Sequence, residues 1–218
     1  MQISAQDQRE IRRRFEALED PVVLKLFVRT DRDACPYCED TRELLEALAE
    51  LDDRVTVEIH DLDRELEVAE RYEVDKAPAI VFTRADGSDT GVRFYGIPAG
   101  YEFGTLIDDI VDISRGSTGL SPETEDFLRS LETNVHLQVF VTPTCPYCPR
   151  AVRLAHRMAL TGDRVRADAI EAMEFPELAN RFQVFGVPKT VVNGVTSVEG
   201  AAPEGHIVAL IKEALSRA

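Results

Sequence analysis

The feature that most constrains this chain is that it contains itself twice. Displacing the sequence by 110 residues and comparing 35–82 with 145–192, without a gap, gives 15 identities in 48 positions. They include Leu44/Leu154, Asp53-Arg54-Val55 with Asp163-Arg164-Val165, Arg71/Arg181, Val74/Val184 and Pro78/Pro188. A match of that length marks two copies of one unit, each large enough to hold its own core, rather than a short solenoid repeat. The 218 residues suit two such units. The small, polar stretch Ser114–Gly119 places the boundary, giving units at 1–116 and 117–218. That stretch is too short for a long tether, so the units are expected to pack together.

Both copies read as the same alternation of elements. Val22–Val28 and Val135–Val141 are β-branched, apolar runs of strand length. Amphipathic stretches at helical spacing follow, with Leu44, Leu45, Leu48 and Leu51 in one copy and Val152, Leu154, Ala155 and Met158 in the other. Short strands are expected at Arg54–Ile59 and Arg164–Ala169, then helices at Arg64–Tyr72 and Glu174–Phe182. Ala79–Thr83 and Thr190–Val192 lead through Asp86-Gly87 and Asn193-Gly194 turns to a further strand. Helices Phe103–Ile113 and Glu204–Leu215 close the copies. A helix also precedes each: Gln6–Leu18 behind Ser4, and Glu123–Leu131 behind Ser121-Pro122, a Ser N-cap with Pro in the first turn. The order β-α-β-α-β-β-α after a leading helix is an α/β fold, made twice.

All four cysteines lie in two copies of Cys-Pro-Tyr-Cys: Cys35, Cys38, Cys145 and Cys148. Where such a motif opens a helix, unpaired N–H groups and the macrodipole favour the thiolate of the first cysteine. That thiolate attacks a disulfide, and the second cysteine, one turn on, resolves the mixed disulfide. Pro36 and Pro146 fit a first helical turn, where no N–H partner is lost. The alternative is a four-cysteine metal or iron–sulfur site, which requires the two strand–helix turns to meet. Pro78 and Pro188 each stand 43 residues after a first cysteine and just ahead of a strand. They are either strand-start prolines or cis prolines, which would turn the backbone of Ala77 and Val187 toward an extended client peptide.

With these residues in view, the chain resembles the glutaredoxin-like protein disulfide oxidoreductases of thermophilic archaea and bacteria. Cys-Pro-Tyr-Cys is the tetrapeptide typical of glutaredoxins, and Gly186-Val187-Pro188-Lys189-Thr190-Val191-Val192-Asn193-Gly194 with Glu199-Gly200 looks like their cis-proline segment and closing hairpin. The resemblance runs from Ile3 to the end. It implies two tandem thioredoxin (glutaredoxin-like) folds packed as one pseudo-symmetric body, acting by thiol–disulfide exchange on proteins. It implies Cys35 and Cys145 as nucleophiles and Cys38 and Cys148 as resolvers. It makes Pro78 and Pro188 cis, and with Ala77, Val187, Pro36, Tyr37, Pro146 and Tyr147 they line the client-binding surface. A flavin-dependent thioredoxin reductase is the implied electron partner and a peroxiredoxin an implied client. No cofactor is expected, because the cysteines carry the electrons. Leu26 and Val139 stand where thioredoxins keep a buried Asp, so a carboxylate relay of that kind is not expected. Lys76-Ala77-Pro78 and Gly186-Val187-Pro188, with single glycines at Gly96 and Gly200, depart from glutathione-using glutaredoxins, leaving a glutathione-dependent enzyme as the alternative within the class. The repeat pairs Cys35 with Cys38 and Cys145 with Cys148, with no bond between units.

Charge narrows the partners. Forty acidic against 25 basic residues give a net charge of −15, unlike a phosphate-backbone or anionic-membrane binder. No apolar run reaches the ~18 residues of a membrane helix. Met1–Asp7 shows no secretory signal, so the cytosol is the expected compartment. His60, His136, His156 and His206 do not recur with the cysteines and are expected at surface or edge positions. Lys25 is expected to reach a strand end or to snorkel.

The two sites differ in local charge. Residues 29–42 hold Asp31, Asp33, Glu39 and Asp40 against Arg29, Arg32 and Arg42, whereas 139–152 hold only Arg150, with Arg153 just beyond. Cys145 is therefore predicted to be the stronger nucleophile, by about one pKa unit or less because exposed charges are screened. The pH dependence of alkylation, of Cys35 with the second pair removed and of Cys145 with the first removed, checks this; a lower pKa at Cys35 refutes it.

Overall fold

The structure, a computed structural model, describes residues 3–217. Met1 and Gln2, part of the segment read for a secretory signal, lie outside them. Helix α1 (Ala5–Phe15) starts on Ser4, whose Oγ accepts the Asp7 N–H at 3.1 Å. Strand β1 (Val22–Val28) leads to α2 (Cys38–Ala49), then β2 (Val55–Asp61), α3 (Leu66–Arg71), β3 (Ala79–Arg84), β4 (Asp89–Tyr95) and α4 (Tyr101–Arg115). The same succession follows: α5 (Pro122–Arg129), β5 (Val135–Val141), α6 (Cys148–Thr161), β6 (Val165–Glu171), α7 (Pro176–Arg181), β7 (Lys189–Val192), β8 (Thr196–Glu199) and α8 (Glu204–Ser216).

Several helices are shorter than their apolar pattern. α1 gives way at Phe15 to i→i−3 bonds at Ala17 and Leu18, so Leu18 reaches the core from a tightened turn. α5 yields likewise at Ser130 and Leu131. α3 and α7 end at a left-handed residue, Glu73 (φ 53°) and Gln183 (φ 52°). The next N–H closes on the helix, Val74 to Ala69 O at 2.8 Å and Val184 to Ala179 O at 2.9 Å, the usual work of a glycine there. Ser114, read as part of the joining stretch, belongs to α4. Its buried hydroxyl donates to Asp20 O and accepts the Glu19 N–H.

All eight strands form one sheet in the order β2-β1-β3-β4-β6-β5-β7-β8. Each half contributes four strands in the same internal order, and β4 joins β6 in parallel, with Val92 opposite Ala167 and Tyr95 opposite Ile170. The joint is head-to-tail: an edge of one half meets the other kind of edge of the next, not its own equivalent.

Alternation along the strands sorts side chains to two faces. Leu24, Leu26, Ile80, Phe82, Val92, Phe94, Leu137, Val139, Ala167 and Ala169 pack under α1, α2, α4, α5, α6 and α8. The opposite face carries only the short α3 and α7, over Phe27, Val81, Tyr95, Phe140 and Ile170. A polar file crosses that thinner face: Glu58, Lys25, Val81, Arg93, Asp168 and Gln138 are successive neighbours in register across six strands. Lys25 therefore does not reach a strand end. It is buried in mid-strand, ion-paired to Glu58 and 5.5 Å from the Tyr72 ring. Asp168 is wholly buried and accepts from His136 Nε2 at 2.6 Å and from Arg166 Nε at 2.8 Å.

Burial opposes ionisation of Asp168, but hydrogen bonds and charge from His136 and Arg166 win and hold its carboxyl below the usual range. A carboxyl with a depressed pKa adds stability above its unfolded pKa and loses it as pH falls. Asp168→Ala removes the buried acceptor of His136 and Arg166 but leaves Arg166 bonded to Glu73 and the Tyr95 hydroxyl, and is predicted to cost about 1.5–3 kcal/mol at pH 7. The difference from wild type should shrink below about pH 4, read by urea unfolding across pH.

Candidate redox site

Each cysteine pair sits in the turn that carries a parallel strand into its helix. β1 and β5 point the same way through the antiparallel β3 and the parallel β4 and β6, so both turns open at the same end of the strands. Four ladder spacings separate β1 from β5, about 19 Å. The four cysteines thus do not converge. Among the described residues no group of three or more His, Cys, Asp or Glu could hold a metal ion. The cysteines are bonded within each motif, Cys35 to Cys38 (Cα–Cα 5.4 Å) and Cys145 to Cys148 (Cα–Cα 5.5 Å).

The helices begin at the second cysteine, not the first, with Tyr37 and Tyr147 as N-caps. Pro36 and Pro146 accordingly lie in the turn before the helix, exposed, rather than in its first turn. The turn is closed by the chain itself: Cys38 N–H reaches Cys35 O at 3.4 Å, and Cys148 N–H reaches Cys145 Sγ at 3.2 Å. The second site therefore directs a helix N-terminal N–H at the sulfur of its first cysteine. At the first site the Arg29 N–H donates instead to the second sulfur, Cys38 Sγ, at 3.3 Å.

Ala77–Pro78 and Val187–Pro188 are both cis. Glycines at the end of β4 and β8 hold each loop, Gly96 N–H on Pro78 O at 2.9 Å and Gly200 N–H on Pro188 O at 2.7 Å. Both glycines have positive φ, 91° and 83°. The Val187 carbonyl oxygen lies 3.7 Å from Cys145 Sγ. Ala77 packs in the same apolar cluster as Cys35 and Cys38. Pro78 and Pro188 are buried, whereas Tyr37 is 45 % and Tyr147 70 % exposed beside the sulfurs. Cys145 is 7 % exposed and Cys148 fully covered; Cys35 and Cys38 are both nearly covered.

Leu26 and Val139 are buried and apolar, as the sequence has them, but a buried carboxyl from the other half lies beside the segment that leads into the second site. Glu102, in the first turn of α4, lines one small cavity with Val141, Pro143 and Glu171, just ahead of Cys145. The helix start is locked there: Tyr101 N–H donates to Pro143 O at 3.0 Å. A Cβ on Gly100 (φ +60°) would lie 2.1 Å from that same oxygen. Neither Glu102 oxygen has a well-formed hydrogen bond. Burial pushes its carboxyl up to about 7, against the opposing influence of the Thr105 hydroxyl and the charge of His156. Glu174 is also pushed up to about 7 by burial, while accepting the Ile97 N–H at 2.7 Å.

His156 overturns the expectation of a surface position. It is 1 % exposed on α6, with Nδ1 2.7 Å from the buried Asp109 of α4 and its ring edge-on to Phe94. A visible sign existed: Glu102, Thr105 and Asp109 fall at helical spacing on the otherwise apolar α4 face of Leu106 and Ile110. Arg153 is also reassigned. It binds Asp108 at 2.6 Å and Asp112 at 2.9 Å across the α4–α6 contact, which leaves Arg150 as the free cation near Cys145 among the described residues.

Residues 135–212 match the thioredoxin domain family. Along 209 residues, 96 % of its length, the chain is 24 % identical to an NADH dehydrogenase of Ferdinandcohnia aciditolerans and covers 37 % of it. Over 145 residues, 66 % of its length, it is 30 % identical to the F component of alkyl hydroperoxide reductase from Staphylococcus aureus and covers 28 % of it. The chain thus spans between about a quarter and two fifths of the length of the curated relatives it matches. Among solved structures, a protein disulfide oxidoreductase from Aeropyrum pernix superimposes with a TM-score of 0.90 at 29 % identity, over 98 % of this chain and 94 % of that one. The N-terminal domain of the alkyl hydroperoxide reductase AhpF from Enterococcus faecalis gives 0.87 at 25 % identity, over 96 % and 100 %. Both share the fold along the whole chain.

A buried carboxyl with a raised pKa leaves the folded protein holding a proton that the unfolded chain releases. Stability from this group is present at low pH and lost as pH rises from about 4.5 toward 7. Glu102→Gln is therefore predicted to match wild type near pH 4 and to exceed it at pH 8 by at most about 3 kcal/mol, measured by urea unfolding at both pH values.

Proposed function

We propose that this thioredoxin-fold disulfide oxidoreductase exchanges dithiols and disulfides in protein clients through both Cys-x-x-Cys pairs, held in units 1–116 and 117–218. In the reducing direction the Cys145 thiolate attacks one sulfur of a client disulfide. That bond breaks, and the other client sulfur leaves as a thiolate and takes a proton. Cys148, having lost its proton, attacks Cys145 in the mixed disulfide and frees the second client thiol. The client gains two electrons and two protons from the Cys145 and Cys148 thiols, which are left oxidised as the Cys145–Cys148 disulfide. Cys35 and Cys38 act in the same roles, and the oxidising direction is the reverse.

The observation that carries this is the second disulfide itself. Its first sulfur lies between a helix N-terminal N–H and the Val187 carbonyl, and is the less covered of the two. A thiolate there gains from the N–H and the helix dipole, and an incoming peptide meets the backbone beside Pro188. Pro36, Tyr37, Ala77 and Pro78 at one site, and Pro146, Tyr147, Val187 and Pro188 at the other, form the client surface. Glu102 adds a carboxyl that titrates near neutrality behind the second site alone.

The similarity to alkyl hydroperoxide reductases supports a reading in which this chain works with redox partners. A flavin-dependent thioredoxin reductase fits as electron donor and a peroxiredoxin as client, in the cytoplasm. Among the described residues no helix is long and apolar enough to cross a membrane.

The test is reduction of insulin by dithiothreitol with wild type, Cys35→Ser/Cys38→Ser and Cys145→Ser/Cys148→Ser. Each single-site variant is predicted to retain catalysis, and removal of all four cysteines to abolish it. Glutathione as sole reductant should support the reaction less well than a dithiol. Insulin reduction by the variant lacking all four cysteines at the wild-type rate would overturn the assignment.

A further inference from the structure

The four most exposed large apolar side chains among the described residues are Phe185 (89 %), Met173 (76 %), Tyr147 (70 %) and Leu66 (66 %). Three of them belong to loops around the second disulfide. Tyr147 lies between the bonded cysteines. Met173 follows β6, whose end is tied to the end of β5 by the Ala172 N–H on Val141 O at 2.9 Å. Phe185 stands two residues before Val187, whose carbonyl faces Cys145. Isolated exposed apolar residues are ordinary, but three converging on one reactive bond are not.

The repeat supplies an internal comparison. In the ungapped alignment Met173 corresponds to Asp63, Phe185 to Asp75, Gly186 to Lys76, Pro149 to Glu39 and Arg150 to Asp40. The positions that make an apolar collar with one cation at the second site carry four carboxylates and one ammonium at the first. Asp63 is paired with Arg29 at 3.2 Å, and Asp75 with Lys76. Glu39 and Asp40 are exposed in the first turn of α2, without an ion pair among the described residues.

A mixed disulfide brings the two Cα atoms to within about 7 Å. In an extended client segment the next residues on the same face lie about 7 Å along the strand. The residues flanking a client cysteine therefore pass beside the loops that carry these side chains. We propose that the second disulfide selects client segments whose cysteine is flanked by apolar residues, and the first selects segments flanked by basic ones. The inference rests on the exchange function above and divides the partners of the two sites by charge.

The experiment uses the full-length chain with one pair removed, Cys35→Ser/Cys38→Ser or Cys145→Ser/Cys148→Ser. Two synthetic peptides with the same internal disulfide, one flanked by Leu and Phe and one by Lys and Arg, are compared with dithiothreitol. Opposite preferences of about tenfold in kcat/KM are expected. The preference of the first site should fade at 1 M salt. Phe185→Asp with Met173→Asp, both at exposed loop positions, should cut the apolar-peptide kcat/KM about tenfold through KM. Its reaction with dithiothreitol should stay within about twofold. Identical preferences at the two sites, an unchanged apolar-peptide KM, or equal losses with peptide and dithiothreitol would each overturn the proposal. Failure of both pairs to react with dithiothreitol would overturn the exchange function, and this inference with it.

Discussion

The parallel pairing of β4 with β6 is the contact on which the rest depends. It turns two four-stranded sheets into one of eight and fixes the relative direction of β1 and β5. Both disulfides then open at the same end of the strands. An antiparallel joint at this place would have put them at opposite ends of the strands. The seam needs small side chains on its covered face and compensated charge on the other. Ala167 and Ala169 lie on the first face, packed in the cluster that holds α6. Asp168 lies on the second, satisfied by His136 and Arg166. The equivalent strand β2, at a free edge, has Val57 and Ile59 in place of the alanines and an exposed Glu58 in place of the buried Asp168.

The seam also makes the second site a joint product of both halves. α4, from the first half, packs against α6, which begins at Cys148. It brings Glu102 to the turn that enters Cys145 and Asp109 to His156. The first site has no such neighbour, because nothing pairs with the outer edge of β2. Sequence identity in Cys-Pro-Tyr-Cys therefore coexists with different surroundings: one site has the other half's carboxylates beside it, and the other has only its own half. Like groups in unlike dielectric surroundings titrate differently.

The strands and most helices are legible in the sequence, because apolar periodicity reports directly which face is buried. β1 and β5 fall on the expected residues. Helix ends are less legible. At α1, the apolar Leu18 continues the pattern while the backbone has already tightened, since burial and helical geometry are separate demands. The disulfide pairing follows from the repeat. The start of α2 and α6 at the second cysteine does not, because that depends on how the turn closes its own N–H groups.

The sequence by itself determined that two copies of one α/β unit are present, each with a reactive pair and a proline that accompanies it. Those are local properties, written in spacing and residue type. Only the tertiary structure decided which polar residues outside the motifs matter. His156, Glu102 and Lys25 belong to no motif in one dimension. Their environment comes from elements far away in sequence, α4 on α6 and β1 beside β2. No pattern within a single unit encodes which of its edges will be covered by the other, and that covering gives the two sites different surroundings.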